Sequence, residues 1–197
     1  MTQGQLDQFA AYHKLLVQWN AKINLVSRRD EPRIFDRHFL ESVAVVPHLE
    51  LSFPCRAADL GSGAGFPGVP LKIVLPQLDL TLIESKRKKA HFLGCLCTKL
   101  GLSSCRIACA RAEDLASDPD HAQSYDVVFA RAVAPIDRLS RLASPLLVPE
   151  GLLVCYRGPE AAKELSAMPS GPLVLKACVT PPTVIARPMA FALLVRS

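Results

Sequence analysis

The spacing of apolar residues along this chain changes once, between positions 47 and 55. Before that point Leu6, Phe9, Tyr12, Leu16, Trp19 and Ile23 recur at steps of three and four, which marks one face of a helix. A second helix is predicted to start with Asp30 as its cap and Pro32 in its first turn. It carries Ile34, Phe35, His38, Phe39, Ser42 and Val46 until Pro47 stops it. From Cys55 onward short apolar runs alternate with helical segments. Strands are predicted at 55–60, 78–83, 105–110, 125–130 and 152–156, and helices at 69–75, 86–100, 112–116 and 136–146, with another after Pro159. Such alternation predicts an α/β fold, a parallel sheet with helices on both faces. In the tail, 173–179 and 189–195 flank Thr180-Pro181-Pro182 and read as an antiparallel hairpin on the sheet edge. Residues 1–50 are therefore expected to form a helical extension, and residues 51–197 a single α/β unit.

Composition narrows the classes. The chain has 197 residues, half of them hydrophobic, enough for one sizeable core. No apolar run is long enough to span a membrane and residues 1–5 lack a secretion signal, so a cytoplasmic protein is expected. A net charge of +5 permits a polyanionic partner without requiring one. The seven cysteines include no Cys-x-x-Cys pair, so reduced thiols are expected and a metal site is not.

The chemistry concentrates in Asp59-Leu60-Gly61-Ser62-Gly63-Ala64-Gly65-Phe66-Pro67-Gly68. A strand that runs into glycines and then a helix is the arrangement by which α/β sheets hold nucleotide-like cofactors. Gly63 to Gly68 also fits the dinucleotide pattern, and Glu84 follows at the spacing of a ribose-binding acid, so spacing alone leaves a nicotinamide or flavin site open. Three features favour S-adenosylmethionine (SAM). Asp59 precedes the first glycine, where it can answer a cationic amino-acid group but would repel a pyrophosphate. The chain is short for a dinucleotide fold plus a substrate domain. Arg111-Ala112-Glu113-Asp114 follows the third strand, placing an acid near the adenine edge.

These residues, together with Trp19-Asn20, Asn24-Leu25, Arg37-His38-x-x-Glu41-Ser42, Thr81-Leu82-Ile83-Glu84-Ser85, Ala130-Arg131-Ala132 and Tyr156-Arg157-Gly158, resemble the RsmG (GidB) family of bacterial methyltransferases. The resemblance runs from about Leu15 to about Gly158 and is most specific at Asp59–Leu71. It implies the class I SAM-dependent methyltransferase fold, a mostly parallel seven-stranded sheet with an N-terminal helical extension. It also implies methyl transfer from SAM to N7 of a guanosine in 16S ribosomal RNA, with Gly61 and Phe66 at the cofactor, Glu84 on its ribose, Ala112 and Glu113 at its adenine and Arg131 nearby. Asp59, Gly63 and Gly65 complete the expected cofactor set. The family has a further helix before the one at Leu6, often carries Lys where Arg157 stands, and differs in its ending after Thr180.

The residues fit that chemistry. Guanine N7 offers an in-plane lone pair and no proton, so its methylation needs positioning and no general base. The stretch Ala130 to Pro135 lacks the Asn/Asp-Pro-Pro-aromatic pattern of amine methylation, and Pro54-Cys55 opens a strand, away from the strand ends where a nucleophilic cysteine would act. Arg131 and Arg157, at the ends of two strands, are the candidates for holding guanine O6 or a phosphate; for Arg131 the competing expectation is a loop-pinning pair with Asp126 or Asp137. Lys86, Arg87, Lys88 and Lys89 open a helix whose dipole they oppose, at about 0.3–1 kcal/mol each, a cost an RNA polyanion would offset. Arg28, Arg29, Arg33 and Arg37 form a second cluster, and Arg28, Arg29 and Arg37 join the RNA-binding candidates; for each of these bases a solvated surface is the competing reading. The partner implied is small-subunit ribosomal RNA or a small-subunit particle, met by a monomer. Other substrates, a non-catalytic RNA-binding module and a nicotinamide oxidoreductase remain as alternatives.

Overall fold

The computed structural model describes residues 1–131, 133–158, 160–167, 171–181 and 188–196. Ala132, Pro159 and Pro182, quoted above, lie outside them. Seven strands form one sheet: β1 (Cys55–Leu60), β2 (Leu78–Ile83), β3 (Cys105–Ala108), β4 (Tyr125–Arg131), β5 (Leu147–Arg157), β6 (Leu173–Val179) and β7 (Ala190–Arg196). Their order is β3-β2-β1-β4-β5-β7-β6, parallel except that β7 runs antiparallel to both neighbours. The tail hairpin is thus present, and its second strand lies inside its first, leaving β6 at the edge.

Strand residues alternate between two apolar layers, as a pleat requires. Ala57, Val127, Phe129 and Val154 face a layer that also holds Phe9, Tyr12 and Leu16 of α1 (Gln3–Ile23), residues of α3 (Gly68–Val74) and residues of α4 (Arg87–Leu100). Ala58, Val128, Leu153 and Cys155 face the layer filled by α5 (Ala112–Leu115) and α6 (Ile136–Ala143). A short α7 (Ala161–Ser166) also lies on that side, through Leu165. Helix α1 is fastened at its first two turns. Gln5 Nε2 donates to the Ile73 carbonyl and Gln8 Nε2 to that of Leu100, satisfying carbonyls at the ends of α3 and α4 that no helical N–H reaches. Among the described residues no helix is long and apolar enough to cross a membrane.

The predicted second helix is broken. Glu31–Arg33 forms a 3-10 turn, Ile34–Phe39 a π-helical turn, α2 spans only Leu40–Val43, and Pro47 sits within another 3-10 turn, Val46–His48. Asp30 makes no side-chain capping bond; one oxygen accepts the Ser27 hydroxyl and the other pairs with Arg37 at 2.6 Å. The physical reason is a guanidinium from elsewhere. Arg131 donates to the carbonyls of Arg37 and His38, and Ser42 Oγ donates to His38 as well, so this segment's carbonyls find partners without a regular helix. Smaller differences are a shorter β3, which leaves Cys109 outside it, a helix α6 ending at Ala143, and a longer β5 with a bulge opposite Tyr125 and Val127.

Candidate functional site

The sheet reverses its winding direction between β1 and β4, which opens a crevice outside the carboxyl ends of both strands. The glycine turn closes one side of it. Gly61 and Ser62 N–H groups both donate to the Ile83 carbonyl, at 2.9 and 3.0 Å, turning the chain back over β2. Gly61 holds φ +72°, and a Cβ there would lie 2.8 Å from a Val133 methyl. Gly65 holds φ +97°, a conformation open essentially only to glycine, and a Cβ there would lie 2.6 Å from the Tyr12 hydroxyl. That hydroxyl donates to the Ala64 carbonyl at 2.5 Å, so the N-terminal helix holds the back of the turn.

Two carboxylates organise the turn from different sides. Glu84, at the end of β2, is 6% exposed; its Oε2 accepts the Gly63 N–H at 3.0 Å and its Oε1 the Lys86 N–H at 2.8 Å. Each oxygen retains a further lone pair for a ligand hydroxyl. Asp59 is wholly buried behind the turn, where Oδ2 accepts the Gly68 N–H at 3.1 Å and Oδ1 has no hydrogen-bond partner among the described residues. Burial pushes its carboxyl up to about 7, against the lowering effects of the Gly68 and Ser62 hydrogen bonds and of Arg131. Asp59 therefore braces the turn from behind, whereas the cavity at the strand ends is lined by other residues.

A cavity of about 200 Å³ sits at these strand ends, lined by Gly61, Glu84, Ala112 and Glu113 of the expected set. Val133, Ala134 and Leu142, which the sequence did not single out, complete its apolar side. Gly63, Gly65 and Phe66 shape the turn without lining this cavity. Glu113 is exposed at the rim, 4.0 Å from Arg138.

The two candidate catalytic arginines point elsewhere. Arg131 pairs with the fully buried Glu41 at 2.6 Å, donates to the carbonyls of Arg37 and His38, and lies 5.9 Å from the Phe66 ring centroid. His38 stacks on the other neighbour of that contact, the Phe66 ring, at 4.8 Å and 10°. Neither Asp126 nor Asp137 is the partner; Asp126 accepts the Arg56 backbone N–H and Asp137 pairs with Arg141. Arg157 donates to the Ala134 carbonyl and pairs with Glu164 at 3.4 Å. Both guanidiniums are engaged by protein groups, Arg131 by Glu41 and backbone carbonyls and Arg157 by Glu164 and the Ala134 carbonyl. Glu41 carried the signal in Arg37-His38-x-x-Glu41-Ser42 but no role had been assigned to it.

The basic residues divide. Lys86, Arg87, Lys88, Arg28 and Arg29 are exposed, whereas Arg37 is drawn into its pair with Asp30. Lys86 to Lys89, with Lys22 and Asn24 at the end of α1, line a second cleft of about 450 Å³. Lys89 leans toward the turn: its Nζ is 4.0 Å from where a Gly63 Cβ would be. Among the described residues no cluster suited to a metal ion occurs.

The family model for GidB, rRNA small subunit methyltransferase G, matches residues 5–185. The chain belongs to this family. Ribosomal RNA small subunit methyltransferase G of Halalkalibacterium halodurans is 40% identical over 167 residues, covering 85% of this chain and 70% of the relative. The protein of the same name from Streptococcus equi subsp. zooepidemicus is 42% identical over 166 residues, covering 84% and 70%. Among solved structures, a SAM-dependent methyltransferase from Aquifex aeolicus superposes with a TM-score of 0.63 at 14% identity, covering 86% of this chain and 96% of that one. The GidB chain thus has the class I SAM-dependent methyltransferase fold, with the glycine turn and Glu84 at the strand ends.

Proposed function

We propose that this protein transfers the methyl group of S-adenosyl-L-methionine to N7 of a guanosine in small-subunit (16S) ribosomal RNA. Membership of the GidB family supports the reaction class, and one observation in the site carries it. A carboxylate fixed by two backbone N–H groups faces a cavity at the carboxyl ends of the strands, beside a turn whose Gly61 lines that cavity and whose Gly63 has no close neighbour where a Cβ would stand. These residues fit the cofactor: Glu84 has lone pairs left for the ribose hydroxyls, Gly61 and Ala112 supply close walls, and Glu113 stands where the adenine amine would donate.

When bound, SAM supplies a methyl group on a positively charged sulfur, ready for displacement by a lone pair. The chain's part is to position. Glu84 and the turn hold the donor's sugar, and the apolar wall of Val133 and Leu142 excludes water from its ring. Guanine N7 carries no proton, so its lone pair would form the new N–C bond as the donor's S–C bond breaks, the electron pair staying on sulfur and the positive charge passing to the guanine, with no side chain needed to accept a proton. Arg131 and Glu41 act through Phe66 and the 37–42 segment, keeping one wall of the crevice in place. Arg157 does the same for the 134–136 loop through Ala134. Residues 1–50 buttress the glycine turn through Tyr12 and also present Arg28 and Arg29. Lys86, Arg87, Lys88, Arg28 and Arg29 meet RNA phosphates, and Lys89 bridges that surface and the turn. The protein works as a monomer in the cytoplasm.

The deciding assay uses labelled SAM and small-subunit RNA or particles from cells lacking the enzyme, followed by digestion to nucleosides. Label in 7-methylguanosine is expected. Label in another nucleoside, or none despite demonstrated SAM binding, would overturn the reaction proposed.

A further inference from the structure

Cys97, in the last turn of α4, and Cys105, the first residue of β3, hold their sulfur atoms 3.3 Å apart. Sequence spacing hid the pair, because the seven positions between them pass through a turn. Gly101 takes the left-handed conformation at the end of α4, and the Leu102 N–H returns to the Cys97 carbonyl, which folds the chain back beside its own helix. Closing a disulfide would bring the sulfurs together by roughly 1.3 Å, to the usual bond length of about 2.0 Å. Cys97 is buried and Cys105 is partly exposed, so the pair is reached from solvent on the Cys105 side.

The surroundings favour reaction over inert packing. The hydrogen bond shared with Cys105 holds the Cys97 thiol below its ordinary value, against the opposing effect of burial. The buried ammonium of Lys72, anchored on the Pro76 and Leu78 carbonyls, adds to that lowering. A thiolate beside a protonated thiol is the arrangement in which one sulfur attacks an oxidant and the other resolves the product.

We propose that Cys97 and Cys105 are a redox-active dithiol that closes to a reversible disulfide when the protein meets a hydroperoxide. The Cys97 thiolate attacks the terminal peroxide oxygen; the O–O bond breaks, and the departing oxygen takes the electron pair and a proton, leaving as an alcohol, or as water from hydrogen peroxide. Cys97 is then a sulfenic acid. Cys105 sulfur attacks it, the S–O bond breaks, and the hydroxide leaves as water with the Cys105 proton. Two thiols are oxidised by two electrons and one hydroperoxide is reduced. Thiol reductants of the cell reverse the step. The proposal is independent of the methyl-transfer reading, since the dithiol lies at the opposite end of β3 from the cavity.

The test treats the folded full-length protein with about one equivalent of hydrogen peroxide, then blocks remaining thiols and measures mass. Relative to untreated protein blocked in the same way, two fewer blocking groups and a further loss of about 2 Da are expected, both reversed by dithiothreitol added before blocking, with digestion linking the peptide bearing Cys97 to that bearing Cys105. The Cys95→Ser variant should retain the link, which separates Cys97 from its neighbour on the same peptide. Cys105→Ser should instead stall as a sulfenic acid at Cys97, trapped by dimedone with a gain of mass. Links through Cys95 or Cys109, or wild-type protein that gains oxygen at Cys97 or Cys105 without linking them, would overturn the proposal. Both thiols remaining fully alkylatable after treatment would overturn it as well.

Discussion

Asp59 shows how one buried carboxyl can set a pH dependence opposite to the common one. Most acids in folded proteins are stabilised in their charged form, so stability falls as pH drops. Here burial holds the acid neutral up to about 7, so the native state keeps a proton that the unfolded chain has already released above about pH 4. Stability should therefore decline as pH rises through about 4 to 7, by on the order of 4 kcal/mol in total from this group. Asp59→Asn keeps an acceptor for the Gly68 N–H and removes the ionisation. Urea midpoints of the variant relative to wild type should improve from pH 5 to about pH 7 and then level off; a constant difference would show that Asp59 ionises normally. In the proposed site Glu84 acts through its charge, which also holds two backbone donors. Glu84→Gln retains one acceptor but turns an amide toward Gly63 or Lys86, both of which are donors. Loss of one charge-assisted bond should weaken SAM binding about 10- to 100-fold by calorimetry, with the fold intact.

At the scale of elements, the N-terminal segment and the sheet are coupled by contacts that neither would make alone. Tyr12 reaches the glycine turn from α1, and Tyr156 of β5 donates to the Ser42 carbonyl at 2.6 Å. Between them Arg131 and Glu41 form an ion pair whose side chains are 10% and 0% exposed. Removing one partner leaves an uncompensated buried charge, which is costlier than losing a surface pair. Glu41→Ala should destabilise the protein by about 3–5 kcal/mol in urea unfolding. It should also make the 31–48 segment, irregular and held by that guanidinium, the first site of limited proteolysis. Cleavage elsewhere, with an unchanged midpoint, would mean that the segment is held by its apolar contacts alone.

For the whole molecule, the cofactor crevice and the basic surface are separable. Arg28, Arg29, Arg87 and Lys88 are exposed and outside the cavity lining, so reversing all four to Glu changes the field met by RNA and leaves the crevice walls in place. Methylation of RNA or particles at about 0.1 M salt should fall at least tenfold, with SAM affinity within twofold and a flatter dependence of rate on salt. Equal losses in both would place these residues in cofactor binding instead.

Local chemistry made much of this legible in the sequence. Period-two and period-3.6 spacing located all seven strands and most helices, because each pattern reports only which face of an element is buried. The glycine run marked the turn after β1, since positive φ is a local demand that few other residues meet. Glu84 followed from its place about twenty positions past the glycines, at the end of the second strand, where a ribose-binding acid stands. What the sequence left open were the long-range partners. The loop-pinning alternative for Arg131 named Asp126 or Asp137, a few positions away, whereas its guanidinium pairs with Glu41, 90 positions back, because a guanidinium's partner depends on which segment tertiary packing brings within a few ångströms. The same packing broke the second helix, turned Arg157 onto Glu164, buried Asp59 behind its turn and brought two cysteine sulfurs together. Spacing along a chain determines which surface each element buries; only the packed molecule decides which charges those surfaces enclose.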